Sequence, residues 1–231
     1  MKSRQPKAPS LVPIEELAIS RAFKAYDEDL YTNAWVRECS ASRKEARHVV
    51  VEGSVFELVD LTETRYEKLD LSDVSLRKCD LANVAWDEFE ARRVVFEGCR
   101  LLGAKFIEGV FKDVRFNDCH AQFAQMRYGT LAGAWFSACD LRDADFSGAD
   151  LTGATFEECN LTGASFLNAK CGGVDIRSSS MERLQIGPTE LRGLVVTPIQ
   201  AIQLAAVFGL RVLNEFDDID AAPIGGVGSE S

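Results

Sequence analysis

Residues 131–170 of this chain read LAGAW FSACD LRDAD FSGAD LTGAT FEECN LTGAS FLNAK, a stretch in which leucine or phenylalanine returns at every fifth position. Two residues before each of these large side chains stands a small one, glycine, alanine or cysteine. A period of five matches neither the α-helical repeat of about 3.6 residues nor the alternation of about two in a strand. The stretch therefore indicates a short internal repeat, which has to be defined before any helix or strand is assigned.

The five-residue repeat extends far beyond this stretch. It runs without a gap from Val49 to about Pro198, which is about two thirds of the chain. Small residues occupy the large position only at Ala91, Ala121 and Cys171. The strongest copies, ADLTG, CDLRD and CNLTG, occupy residues 149–153, 139–143 and 159–163.

This pattern resembles the repeat of the pentapeptide repeat family, which is written A(D/N)LXX. In that family, four pentapeptides form one square turn, and the large and small repeat residues face inward. The resemblance implies an all-β solenoid, a right-handed quadrilateral parallel β-helix, with a C-terminal capping helix. Residues 49–198 would form about 7.5 coils, each adding about 4.8 Å to the length of the β-helix.

Four repeats per turn would stack residues that are 20 positions apart, and the sequence itself tests this. Cys39 lies on a series of that spacing, two steps before five more cysteines at Cys79, Cys99, Cys119, Cys139 and Cys159. The aromatic large residues fall on two opposite faces, while the faces between them carry mostly leucine. The core is therefore predicted to interlock aromatic columns with leucine columns.

The cysteine series could be a metal site, a set of disulfides or a packing column. A metal site is disfavoured because alanine and leucine flank the thiols and the two histidines, His48 and His120, are isolated. Disulfides are disfavoured because stacked Cβ atoms about 4.8 Å apart are too distant and wrongly directed for a bridge. We interpret these cysteines as small apolar residues in a reducing compartment, and expect no metal or cofactor.

The segments outside the repeat are predicted to close its two ends. We expect residues 1–10 to be a mobile tail, 11–48 to form an N-terminal cap that is partly helical or irregular, and 218–231 to be a second mobile tail. Residues 199–217 are predicted to form a C-terminal capping and dimerisation helix with an extension. Thr197 and Pro198 supply the helix start signal, and Gly209 the stop signal.

This helix carries more apolar surface than a cap needs. Ile199, Ile202 and Ala206 are predicted to cover the last coil, which leaves a second apolar face for a two-fold homodimer. That face consists of Leu204, Val207 and Phe208. Alternatively, Leu210, Val212 and Leu213 fold back over it. Helix-mediated dimers occur in quinolone-resistance members of the family, so the resemblance favours the dimer.

Composition and charge exclude several classes of function. There are 36 acidic residues against 26 lysines and arginines, and the net charge of −10 has the wrong sign for direct nucleic-acid binding. No apolar run approaches the roughly 18 residues of a membrane span, and Leu11–Ile14 is too short for a signal-peptide core. We therefore expect a cytoplasmic protein without membrane contact. An enzyme is not expected, because no nucleophile or metal motif is recognisable.

Two functions remain. The preferred prediction is a non-catalytic scaffold that binds a protein partner whose identity the sequence does not give. The alternative follows from the resemblance, because some pentapeptide repeat proteins mimic duplex DNA, bind DNA gyrase and confer quinolone tolerance. A DNA mimic needs concentrated acidic charge. The densest acidic stretch, which we predict to be a partner-binding patch, consists of Asp140, Asp143, Asp145, Asp150, Glu157 and Glu158. Such residues also serve simply to keep a protein soluble.

Overall fold

A computed structural model describes residues 5–210 and 212–213 of the chain. The chain divides into two units, Met1–Val195 and Val196–Ser231, which are considered separately below. The predicted tail 218–231 lies outside the described residues, as do residue 211 and residues 214–217. No helix among the described residues is long and apolar enough to cross a membrane.

The first unit is a parallel β-solenoid of about seven turns, which confirms the predicted fold class. A short 3-10 helix, Ile14–Glu16, precedes the strands. The strands of the described residues are β1 (Ala18–Ser20), β2 (Leu30–Thr32), β3 (Ala34–Arg37), β4 (Glu45–Glu52), β5 (Val55–Glu57), β6 (Arg65–Arg77), β7 (Ala85–Asp87), β8 (Glu90–Glu97), β9 (Val110–Asn117), β10 (Trp135–Ser137) and β11 (Thr155–Glu157).

The strand register reproduces the 20-residue spacing of the sequence. Phe116 in β9 pairs with Phe136 in β10, which pairs with Phe156 in β11. Between strands the ladder continues through single bridges such as that of Asp140 with Asn160. Because each coil bonds to the next at the same spacing, every inward residue lies directly above its counterpart in the coil below.

A tight turn forms each corner of a regular coil. In one of them, the amide of Ala144 donates to the carbonyl oxygen of Leu141 at 3.1 Å, and Asp143 between them has a φ of +55°. Such a turn needs a left-handed residue in its third position, where glycine, asparagine and aspartate are favoured. Each five-residue repeat therefore consists of one short side of the coil and one corner.

Large residues from four columns fill the core as predicted. Phe96, Phe116, Phe136 and Phe156 stack nearly parallel, with neighbouring ring centroids 4.7 to 4.8 Å apart. The leucine columns and the alanines beside them are buried as well. The rings of this column therefore stack on one another, whereas the sequence suggested an interlocking of rings with leucines.

One exception in the repeat has a packing explanation. Ala91 occupies a large position, but Phe89 occupies the small position two residues earlier, and both side chains are buried. The ring of Phe89 lies 5.2 Å from that of Trp86 and 5.4 Å from that of Phe111, measured between centroids. The large and small side chains have exchanged places, so the core volume is conserved.

The N-terminal segment differs from the prediction. Pairing at the 20-residue spacing begins at Leu30, which bonds in register with Val50, so coil structure starts well before Val49. The predicted cap 11–48, which we expected to be partly helical, has the short 3-10 helix Ile14–Glu16 as its helical element. Residues 7 and 10 of the predicted mobile tail are hydrogen-bonded to the solenoid. Extended backbone therefore replaces most of the predicted cap.

The described part of the second unit contains one helix, α1 (Pro198–Val207). Its N-terminus has the predicted cap: Thr197 Oγ1 accepts from the Gln200 amide at 3.2 Å, and Gln200 Oε1 accepts from the Thr197 amide at 2.9 Å. This reciprocal pair satisfies two amides that the helix itself leaves unbonded. Gly209, with a φ of +75°, follows the end of the helix.

Candidate interaction surface

The six acidic residues of the predicted patch belong to a single coil. Asp140, Asp145 and Asp150 flank large residues of three successive sides, and Glu157 flanks a large residue of the fourth. Because 20 residues make one turn, this stretch encircles the solenoid. The structure therefore distributes Asp140, Asp143, Asp145, Asp150, Glu157 and Glu158 around its circumference and does not gather them on one side.

Basic side chains form ion pairs with three of these carboxylates and partly neutralise their charge. Asp140 lies 2.7 Å from the Arg142 guanidinium, Asp145 3.6 Å from Arg127, and Asp150 3.3 Å from the Lys170 amine. The Arg142 guanidinium, with help from the amide of Gln122, holds the pKa of Asp140 below its usual value. Acidic residues close in sequence thus become separate, partly neutralised charges.

Two aromatic rings are exposed on one coil of the solenoid. Phe123 exposes 55% of its surface and Tyr128 exposes 62%. Each is the second residue after a large position, so each stands at a corner, and the side between these two corners carries the buried Met126. The two rings therefore flank the same side of one coil. We call Phe123, Arg127 and Tyr128 the aromatic surface.

Neighbouring coils position the aromatic surface. A Cβ atom on Gly148, the residue one coil above Tyr128, would lie 2.5 Å from Cδ1 of the Tyr128 ring, so the ring lies directly over that glycine. Arg127 is half-buried between the rings and faces Asp145 at 3.6 Å. These residues were not among the sites predicted from the sequence. An aromatic at an outward position of the five-residue frame is the signal that could have found Phe123 and Tyr128.

The cysteine series forms a buried column of hydrogen-bonded thiols. Cys119 Sγ lies 3.3 Å from the carbonyl oxygen of Asn117 and 3.5 Å from that of Phe96, and its neighbours repeat this geometry. One coil after Cys159, the hydroxyl of Ser179 donates to the Phe156 carbonyl at 2.9 Å. All seven cysteines are free thiols. Among the described residues, no group of three or more metal-binding side chains is placed to hold an ion.

The buried thiols should be unreactive in the folded protein. Burial raises the pKa of Cys171 to about 12, and burial also keeps reagents away from the five thiols of the column from Cys79 to Cys159. Since the thiolate is the reactive form, we expect a thiol reagent at pH 8 to label at most the half-buried Cys39 within minutes. Mass spectrometry after labelling, with a sample in guanidinium as the seven-thiol control, checks this. Rapid native labelling of Cys119 would contradict the burial of the column.

A family model described as a pentapeptide repeat region matches residues 89–166 of the solenoid. The chain is a pentapeptide repeat protein. No curated protein matches its sequence.

Solved structures of other pentapeptide repeat proteins are similar to this one. HetL, involved in heterocyst differentiation regulation in the cyanobacterium Nostoc sp. strain PCC 7120, is 16% identical over 74% of this chain and 86% of its own, with a TM-score of 0.49. Trypsin-treated QnrB1, a plasmid-mediated fluoroquinolone resistance protein, is 17% identical over 86% of this chain and 99% of its own, with a TM-score of 0.38. At these identities and scores, neither bears on the function of this chain.

Helix α1 of this pentapeptide repeat protein exposes a different apolar face from the predicted one. Leu204, expected at a dimer interface, is only 6% exposed, and Phe208 is half-buried. Ile199, expected to be covered, is 71% exposed, and Ile202 is exposed as well. The prediction was wrong because helical periodicity shows which residues share a face but not which apolar face is buried. Of the predicted interface residues, only Val207 is well exposed.

The alternative to the dimer was that residues after α1 fold back over the face of Leu204, Val207 and Phe208, but these residues are exposed to solvent. Leu210, Val212 and Leu213 are all exposed. Within the described part of the second unit, the apolar residues that remain exposed along α1 include Ile199, Ile202 and Val207. We call these three residues the helix stripe.

Proposed function

We propose that this pentapeptide repeat protein is a non-catalytic scaffold that binds a protein partner through the aromatic surface. The observation that carries the proposal is the exposure of Phe123 and Tyr128 at neighbouring corners of one coil. Aromatic and arginine side chains are enriched among residues that dominate binding energy at protein interfaces. Arg127 between the rings adds a donor that is already oriented by Asp145.

The rigidity of the solenoid supports this role. Both rings project from backbone whose amides bond to the next coil, Phe123 to Arg142 and Tyr128 to Ser147, each at 3.0 Å. A ring held in this way loses little conformational entropy when a partner covers it. The outward side chains of the other coils are mostly polar, so these two rings stand out from their surroundings.

The chemistry of the polar residues supports a non-catalytic role. The thiols of the column from Cys79 to Cys159 are buried and bonded to carbonyl oxygens. The two histidines lie on different coils and at different positions in the repeat frame. Catalysis by a general acid and base needs such groups to converge on one pocket.

Substitution of both rings should abolish partner binding without unfolding the protein. We expect Phe123→Ser with Tyr128→Ser to lose the partners that the immobilised wild-type chain retains from a lysate of its source organism. The matched control is Leu58→Ser, since Leu58 is also an exposed apolar corner residue with positive φ. Quantitative mass spectrometry of the retained proteins measures this. Equal retention by all three chains would contradict the proposal.

A second proposal is that the protein binds DNA gyrase as a DNA mimic, and it rests on the net charge of −10. Acidic side chains around the whole circumference of a coil would present negative charge in every direction. A gyrase supercoiling assay with added protein, with and without ciprofloxacin, tests this role. Neither inhibition nor protection at tens of micromolar would remove it and leave the scaffold proposal intact.

We also propose a homodimer in which the helix stripes of two copies meet. Apolar side chains exposed in one continuous strip are stabilised when a second copy removes them from water. Light scattering of Ile199→Asp with Ile202→Asp should then give half the wild-type mass. Ala201 is exposed on the opposite side of the same helix, so Ala201→Asp is the control and should leave the mass unchanged. A wild-type mass equal to one chain would exclude the dimer.

A further inference from the structure

The N-terminal segment follows one corner of the solenoid. The amide of Lys7 donates to Asp113 Oδ1 at 3.1 Å, and the amide of Ser10 donates to Asp73 Oδ1 at 2.7 Å. The guanidinium of Arg115 donates to the carbonyl oxygen of Pro6, and Pro6 is buried. Residues 6–10 therefore run from the coil of Asp113 back to the coil of Asp73, against the direction in which the coils are laid down.

The acceptors on the solenoid are spaced for a particular backbone conformation. Asp73 and Asp113 occupy the same corner two coils apart, which is about 9.6 Å at about 4.8 Å per coil. A polyproline II helix has about three residues per turn and rises about 3.1 Å per residue, so Lys7 and Ser10 face the same side about 9.3 Å apart. Pro6 and Pro9 favour this conformation by fixing φ near −65°. The register of the two carboxylates thus matches a Pro-x-x-Pro segment.

The groups along this corner alternate between acceptor and donor. Arg93 lies between Asp73 and Asp113, and its Nε donates to Asp73 Oδ1 at 2.7 Å. The Arg93 guanidinium and the Ser10 amide together hold the pKa of Asp73 below its usual value, so this acceptor stays charged at neutral pH. We call Asp73, Arg93, Asp113 and Arg115 the corner track.

The hydrogen bonds between the segment and the corner track involve the backbone of the segment and not its side chains. The bonded atoms are two amides and one carbonyl oxygen. The residues Lys7, Ala8 and Ser10 are themselves exposed. Any chain with prolines at the same spacing would present the same atoms in the same places. Preformed polyproline II segments also bind with a small entropy cost, which is why many interaction domains select them.

We propose that the corner track is a docking site for proline-rich segments of the Pro-x-x-Pro type. Residues 6–10 of the same chain occupy this site until a partner's segment displaces them. The tethered segment acts as a competitor at high effective concentration, so a partner gains access only with a longer or multivalent proline-rich sequence. This site lies on a different corner from the aromatic surface and does not depend on it.

A full-length variant can free the track without altering it. Lys7→Pro with Ser10→Pro removes both donor amides, because proline has no N–H, and keeps the segment extended. The probe is a fluorescent synthetic peptide of residues 5–13, and its binding is measured by anisotropy. We expect the variant to bind the probe at least about tenfold more tightly than the wild-type chain, whose own segment competes. Adding Asp113→Ala to the variant should return binding to the wild-type level.

Two altered probes test the amide register. A peptide with Ala8→Pro loses an amide that has no bond to the track in this structure, and should bind the freed chain as the unaltered probe does. A peptide with Lys7→Pro and Ser10→Pro should not bind. If the freed chain melts like the wild type but binds no probe up to about 1 mM, or binds both altered probes equally, the proposal is wrong.

Discussion

Replacing Phe136 with alanine is expected to lower the free energy of unfolding by about 3 to 5 kcal/mol. Phe136 is fully buried, and its ring stacks on Phe116 at 4.7 Å and on Phe156 at 4.8 Å between centroids. Coils above and below are fixed by continuous backbone hydrogen bonds, so the core cannot collapse into the space that the ring leaves. Denaturation by urea, followed by circular dichroism, measures the change.

The control for this prediction is an outward position. Thr152 is exposed beside a buried leucine, and Thr152→Ala should change the free energy of unfolding by no more than about 0.5 kcal/mol. If the two variants unfolded at the same urea concentration, the inward and outward positions of the five-residue frame would have been assigned wrongly.

Deletion of one whole coil should be tolerated, whereas a deletion of nearly the same length should not. Removing residues 131–150 joins Thr130 to Leu151, and residue 151 then takes the place of residue 131 in every column. Since each coil contacts only its neighbours, the loss should be about 1 to 3 kcal/mol, the share of one coil in the stability of such a unit. Cooperative unfolding with retained β circular dichroism would be the expected result.

Removing only residues 131–148, two residues fewer than a whole coil, shifts all later repeats out of register. Large apolar residues after the junction would then face water, and outward charges would face the core, so a loss of more than about 5 kcal/mol is expected. This variant should fail to fold beyond the junction, as judged by proteolysis and mass spectrometry. If the two deletions were equally stable, the ladder of 20 residues would not be what holds the solenoid together.

The repeat made the solenoid predictable to the level of single columns. The spacing of large and small residues in the sequence shows that each repeat has five residues and each coil has 20. The inward positions, such as Cys119 and Phe136, were predicted from this spacing. The exchange of Phe89 and Ala91 broke the frame locally, and only the three-dimensional packing showed that it conserves volume. Before Val49 the repeat is weak, so the coil that begins at Leu30 was mistaken for a cap.

The candidate surfaces were predicted less well, for a geometric reason. Neighbours in sequence share a surface only where the chain doubles back on itself, and in a square coil 20 consecutive residues face all four sides. The acidic stretch from Asp140 to Glu158 was therefore misread as one patch, although its residues lie around the coil. Phe123 and Tyr128 could have been recognised from the frame, because both are aromatic at outward positions.

The sequence by itself determined the parallel solenoid, its core columns and the buried thiols, because all of these depend on a constant spacing that each coil repeats. Only the tertiary structure decided which face of α1 stays exposed and where the segment 6–10 lies. These features depend on contacts between residues such as Lys7 and Asp113, which are far apart in the chain and share no period. A repeat fixes the contacts that recur, and the contacts that occur once have to be seen in the folded protein.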